Sequence, residues 1–257
     1  MLKKSNLLAG KKGLIVGIAN EHSIAAGCAR ALFEAGAEIA VTYQSEKSLD
    51  YMAPIAASVE APILMPLDVR DEGLMNDLFG VITEKWGKLD FLIHSIAFCP
   101  KEDLHGRVTD CSRDGFVTAM DISVHSLIRL AKLTEPLMSD GGTILTVSYH
   151  GADRVVDHYN IMGPVKAALE ASVRYLAVEL GPQNIRVNAL SPGPLETRAS
   201  SGIDHFDELI DDARKRAPLH RLTTIDEVGA YAAFLVSDGA KSVSGNTVLI
   251  DGGHHIV

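Results

Sequence analysis

The chain has 257 residues, 47% of them hydrophobic and 5% aromatic, enough aliphatic material for one large core and too much for disorder. Against 24 basic residues stand 33 acidic ones; the formal charge of −9 argues against nucleic acid as a partner but leaves small anions open, because backbone N–H groups hold phosphate whatever the net charge. Cys28, Cys99 and Cys111 form no CxxC pair and read as reduced thiols of a cytoplasmic protein, the first ten residues do not form a signal peptide, and no apolar run is long enough to span a membrane.

The expected elements alternate along the chain. A strand at 13–16 precedes a helix at 23–35, ended by Gly36. A second strand at 38–43 precedes a helix at 47–58 that contains an awkward Pro54, and a third at 62–67 precedes a helix at 74–86. A fourth strand, 89–95, is followed by one long helix at 112–134, and a fifth, 142–147, by a helix at 165–180. A sixth strand at 185–190, a helix at 226–236 and a last strand at 247–250 complete the order. Strands that are apolar throughout imply burial on both faces. With helices between them they predict an α/β fold: a single-domain, Rossmann-like, doubly wound parallel sheet flanked by helices, spanning 1–257. The least regular stretch, 191–204, with Pro192, Gly193, Pro194 and Gly202, follows a strand where such sheets bind ligands; it reads as the start of a mobile lid around 195–215.

The turn after the first strand runs Gly17-Ile18-Ala19-Asn20-Glu21-His22-Ser23-Ile24. It is not GxGxxG, yet Gly17 permits close backbone approach, Ser23 is a helix-cap residue, and Gly27 lets the helix lie close to the sheet. The bland alternative is an ordinary strand-to-helix turn. Asp68-Val69 can meet an adenine edge, or Asp68 can cap a helix. Gln44-Ser45-Glu46 lies where dinucleotide folds read the ribose. No arginine is there, Glu46 would repel a 2′-phosphate, and Lys47 is the one nearby cation, so NADH is expected over NADPH.

Tyr159 and Lys166 are seven residues apart, which on a helix is two turns, about 10 Å of rise on one face. An ammonium near a phenol is expected to lower the phenol pKa, and a phenol so placed can donate to a carbonyl or enolate oxygen. Taken alone, the pair equally describes a core tyrosine and a surface lysine. His150 and His158 are weaker acid–base candidates. No HExxH or Cys/His cluster points to a metal.

In combination these residues resemble the short-chain dehydrogenase/reductase superfamily, and within it the divergent type I enoyl-[acyl-carrier-protein] reductases of bacterial fatty-acid synthesis. The spacing is Tyr-x6-Lys rather than Tyr-x3-Lys, and Tyr149 matches that branch's additional tyrosine. Gly17 with Ser23-Ile24, Tyr43-Gln44, Asp68-Val69, His94-Ser95-Ile96-Ala97, Asn160-Ile161-Met162-Gly163 and Ser191-Pro192-Gly193-Pro194-Leu195-Glu196-Thr197 look like its cofactor segments; Ala199-Ser200-Ser201-Gly202-Ile203 looks like its lid, and Asp251-Gly252-Gly253 like its C-terminal signature.

The resemblance implies NADH-dependent reduction of the trans-2 double bond of enoyl thioesters. It makes Tyr159, Lys166 and Tyr149 catalytic. Gly17, Ser23, Ile24, Gln44, Asp68, Val69, Ser95, Ile96, Ala97, Lys166, Leu195 and Thr197 become the cofactor residues, and Cys99 joins the two tyrosines as a substrate contact. An acyl carrier protein or coenzyme A thioester is the implied substrate and a homotetramer the implied assembly. Ala97, His150, Pro164 and Glu196 depart from the family's pattern. A 3-oxoacyl or other carbonyl reductase, and a non-catalytic nucleotide-binding paralogue, are the competing readings.

Overall fold

The computed structural model describes residues 5–195, 197 and 206–257, the side chains of Phe206 and Asp207 excepted. Seven strands form one sheet in the order β3-β2-β1-β4-β5-β6-β7. They are β1 (Lys12–Val16), β2 (Glu38–Tyr43), β3 (Ile63–Pro66), β4 (Phe91–His94), β5 (Gly142–Val147), β6 (Ile185–Pro192) and β7 (Thr247–Ile250). Every pairing is parallel, so every connection must cross over, and the helices cover both faces.

One face packs on α1 (Ile24–Glu34), α2 (Glu46–Ser58) and α9 (Ile225–Val236), around Leu32, Ile39, Val41, Met52 and Phe91. The other packs on α3 (Glu72–Trp86), α5 (Arg113–Met120), α6 (Ser126–Thr134) and α7 (Met162–Leu180), around Leu14, Leu78, Leu92, Leu127 and Val165. Short elements not expected from the sequence include α4 (Lys101–Leu104) and the turn Val108–Asp110; α8 (Phe206–Arg216) is the acidic piece after the irregular stretch.

The single long helix expected at 112–134 is instead divided. A π-helical turn, Asp121–His125, separates α5 from α6. The extra residue re-aims the side chains that follow. It points Ser123 at the loop after β4, where its Oγ accepts from the Phe98 N–H at 3.0 Å, and Ser126 at His94, with Oγ 2.8 Å from Nε2. Pro54 does not break α2, because it lies on the solvent side with Asp50, the residue whose carbonyl loses its partner. Gly27 does not bring α1 to the sheet as expected. It brings α1 onto α9, where a Cβ would lie 2.3 Å from the Ile225 carbonyl oxygen.

Candidate active site

The order reverses between β1 and β4, where an open α/β sheet places its ligand crevice. Gly17 leaves β1 at φ +98°, and a Cβ there would lie 2.0 Å from the Ser95 carbonyl oxygen. Only glycine allows the two strand ends to approach this closely. Ser23 occupies the cap position of α1, but its hydroxyl does not cap the helix. It turns back and accepts from the N–H groups of Ala19 and Asn20, each at 3.0 Å, so it shapes the loop instead. Beside the start of α1 and under Leu195 lies a cavity of about 300 Å³ lined by His22, Leu195, Leu222, Thr223 and Ile225.

At the β2/β3 edge Gln44 is exposed. Arg70 grips Asp68, Nε to Oδ1 at 3.0 Å and Nη2 to Oδ2 at 2.6 Å, and this hydrogen bonding holds the Asp68 carboxyl below its ordinary value. Asp68 is therefore not the helix cap. Asp71 is, its Oδ1 accepting from Gly73 at 2.8 Å and Leu74 at 3.1 Å. Arg70 is a cation that the sequence reading missed: it lies beyond β3, which reaches the ribose edge only because β3 pairs with β2.

Beyond β4, His94 is wholly buried, with Nδ1 2.8 Å from Thr146 Oγ1 and Nε2 2.8 Å from Ser126 Oγ. Burial first, and the Lys166 charge second, push it down to about 3, so it is a neutral clamp across β4, β5 and α6. Ser95 and Ile96 follow it, half-buried; Ala97 is exposed and Cys99 half-buried, its thiol pushed up to about 11 by burial.

Tyr159 and Lys166 do not share a helix face. Tyr159 sits in a turn before α7, between His158 and Asn160, whose φ values are +62° and +45°; Lys166 is on the second turn of α7. The turn is anchored to α4 by Asn160 Nδ2, which donates to the Leu104 carbonyl at 2.9 Å. With α7 starting at Met162, Pro164 falls in the first helical turn, where its missing N–H costs nothing. Tyr159 is 8% and Lys166 5% exposed, and Lys166 Nζ donates to the Val147 carbonyl at 2.6 Å. Tyr149, extended after β5, meets Tyr159 edge-on with ring centroids 4.9 Å apart. Gly151 makes this possible, since a Cβ there would lie 2.6 Å from the Tyr159 ring.

The expected lowering of the Tyr159 pKa is overturned. Burial pushes the phenol well up, with Tyr149 and Glu170 adding to it, and Tyr149 is pushed up by burial in the same way. Tyr159 is therefore a neutral donor. Lys166 is brought down to about 8 by burial, and Glu170 pulls it back up. Glu170, also missed from sequence, accepts from Ser148 Oγ at 2.5 Å and lies one turn beyond Lys166 on α7.

His150 stacks on Tyr149, while His158 faces solvent. Ser191, at the end of β6, is buried with its Oγ unpartnered. Val69 and Leu195 are buried, and Ile24 and Thr197 half-buried. Glu196 and the lid residues Ala199, Ser200, Ser201, Gly202 and Ile203 lie outside the described residues. Among the described residues no group of three or more His, Cys, Asp or Glu is arranged to hold a metal, and no helix is long and apolar enough to cross a membrane.

A dinucleotide-type parallel sheet whose carboxyl edge carries a buried tyrosine–lysine pair defines a class of nucleotide-dependent oxidoreductase folds. Comparisons with known proteins narrow the class. A family model described as enoyl-(acyl carrier protein) reductase matches residues 17–255. An enoyl-[acyl-carrier-protein] reductase [NADH] of Rhizobium meliloti is 48% identical over 257 residues, covering 100% of this chain and 94% of that protein. The crystal structure of the corresponding Anaplasma phagocytophilum reductase in complex with NAD superposes with a TM-score of 0.96 at 47% identity, covering 100% of this chain and 98% of that one. That of the Aquifex aeolicus enzyme gives 0.95 at 44% identity, with 98% of both chains covered. The chain belongs to the enoyl-(acyl carrier protein) reductase family.

Proposed function

We propose that this chain is an NADH-dependent enoyl-[acyl-carrier-protein] reductase of fatty-acid synthesis. The observation that carries the reading is the burial of Tyr159 and Lys166 together at the carboxyl edge of β4, β5 and β6, with Tyr149 beside them.

The residues present fit a dinucleotide. Gly17 lets the turn after β1 close against Ser95, the loop before α1 is preshaped by Ser23, and a cavity adjoins the positive end of that helix. Ser191 Oγ is an unpartnered buried group, and Lys166 has two N–H bonds left after Val147. NADH would be held by Gly17, Ser23, Ile24, Gln44, Asp68, Val69, Ser95, Ile96, Ala97, Lys166, Leu195 and Thr197. When bound it supplies the hydride for the β-carbon of a trans-2-enoyl thioester.

Tyr159 donates a hydrogen bond to the thioester oxygen, stabilising the enolate that forms as the β-carbon is reduced; a proton at the α-carbon completes the saturated thioester. Its raised pKa keeps it in the donor form at neutral pH. Lys166 holds the ribose and adds positive charge near the developing oxyanion. Tyr149 backs Tyr159 and, with Cys99, borders the acyl chain. The chain works as one domain, closed by a lid at 195–215. The acyl group arrives on an acyl carrier protein or coenzyme A.

Apolar residues exposed on α5, α6 and α7 (Phe116, Val117, Ile128, Tyr175, Val178) support a homotetramer, and reduced cysteines support a cytoplasmic setting. A panel of trans-2-enoyl and 3-oxoacyl thioesters of several lengths, each with NADH and NADPH, tests the activity. NADH oxidation with enoyl substrates is expected. Turnover of 3-oxoacyl substrates alone would make it a carbonyl reductase, and NADH binding without turnover a non-catalytic paralogue.

A further inference from the structure

The rings of Tyr159, Tyr149, His150 and His254 form one column. Tyr159 meets Tyr149 edge-on at 4.9 Å, Tyr149 lies on His150 at 4.6 Å with 21° between planes, and His150 lies on His254 at 5.2 Å with 24°. Here Tyr149 is extended and His150 opens a tight turn, which brings the second ring back over the first. Two imidazole nitrogens in this column, Nδ1 of His150 and Nδ1 of His254, are buried without a hydrogen-bond partner, as is the Tyr149 hydroxyl.

The last ring comes from the C-terminal tail. The buried Asp251 folds that tail: its Oδ1 accepts from the Gly253 N–H at 3.0 Å and its Oδ2 from the His255 N–H at 2.9 Å, while His255 Nδ1 lies 2.8 Å from Oδ2. His255 takes the carboxylate, and the ring of His254 lies on His150.

We propose that His150 and His254 are positioning residues for the tyrosine pair, a stack that works only while both imidazoles are neutral and that makes the C-terminal tail part of the active site. The proposal rests on the reading of Tyr159 as the donor to the thioester oxygen. Two imidazoles stacked on each other cannot both take a proton without repelling. Burial and His254 push His150 down to about 4, and burial also lowers His254. The surrounding charges come from every element packed there. Arg154 follows the His150 turn, Asp251 and His255 belong to the tail, and Asp212 and Arg216 project from α8. Arg154 and His255 oppose protonation of His150 and Asp251 favours it; Arg216 and His255 oppose it at His254 while Asp251 and Asp212 favour it. Because His150 is held at about 4, well below the ordinary 6.5, the folded stack stays neutral far below pH 6.5 and is lost as pH falls through about 4.

The experiment compares the wild type, His150→Ala, His150→Phe, His254→Ala and the double variant His150→Phe/His254→Phe. It uses initial-rate kcat/KM with NADH and a trans-2-enoyl thioester from pH 3.5 to 8, with fold checked by circular dichroism at each pH. At pH 8 the alanine variants are expected to lose about 3- to 10-fold in kcat, with KM for NADH unchanged, and the phenylalanine variants to recover most of it, because a neutral ring still stacks. The wild type should lose activity on the acid side while still folded, and the double phenylalanine variant should not. Alanine variants with wild-type kcat, or an acid limb shared by the double variant, would overturn the proposal. A wild type that turns over no enoyl thioester would instead overturn the underlying reading of Tyr159.

Discussion

At the carboxyl edge of the sheet, the loop after β1 and the segment after β5 lie two strands apart and are built of different materials. The first is backbone: a glycine pressed against Ser95, a serine hydroxyl taken up by two N–H groups, and exposed Glu21 and His22. The second is buried aromatic and charged side chain, with Tyr149 Oη and His150 Nδ1 unpartnered and Lys166 displaced to about 8. Backbone dipoles hold an anion in a way that does not titrate. Buried phenols and ammonium ions respond to pH and to each other. The difference divides the work: the β1 loop binds, and the β5 segment reacts.

The largest effect expected from breaking this division is at Tyr159. Tyr159→Phe should lower kcat by about 10²- to 10³-fold, and the exposed His158→Ala by less than about 2-fold, in steady-state assays with an enoyl thioester. Gly17→Ala sharpens the other side. Its Cβ would strike the Ser95 carbonyl at a φ of +98°, so KM for NADH should rise by about 10-fold or more, with a loss of about 1–3 kcal/mol in urea unfolding.

Two titrations follow. The Lys166 ammonium is the working form, so kcat/KM should fall as pH rises through about 8. Glu170→Gln, which removes the charge that supports it, should move that limb to lower pH. His94 is buried neutral with a folded value of about 3, below the ordinary 6.5. The unfolded chain therefore takes up a proton that the folded one refuses, and stability should fall by about 1 kcal/mol per pH unit as pH drops below 6.5. Equilibrium unfolding at pH 7 and pH 5 reads this, and His94→Asn should flatten the slope. The smallest effect is at Arg70: Arg70→Gln should change the NADH-to-NADPH preference by no more than about 3-fold, because its guanidinium is committed to Asp68.

The order of strands and helices was legible because each strand is an unbroken aliphatic run and each helix carries its own apolar stripe. Ile122, Val124, Leu127 and Leu130 keep an apolar rhythm through 112–134, so nothing in the pattern betrays the inserted π turn. The positive φ of His158 and Asn160, which takes Tyr159 off the helix, has no signal in residue type beyond the asparagine. Glu170 had a readable signal, a carboxylate one helical turn from Lys166, but its partner Ser148 belongs to another segment. Arg70 and Asp68 needed the pairing of β2 with β3 before either could be placed beside Gln44. The burial that reverses the expected shift of Tyr159 is a property of the packed site and not of the spacing.

The division between binding and reacting segments is tested most directly by titrating NADH, by its fluorescence, into Tyr159→Phe and Gly17→Ala and measuring turnover of the same preparations. Tyr159→Phe should bind NADH as the wild type does and turn over at least about 100-fold more slowly, while Gly17→Ala should bind NADH weakly and keep its kcat at saturation. Tyr159→Phe that turns over normally, or that fails only by losing NADH, would contradict that division.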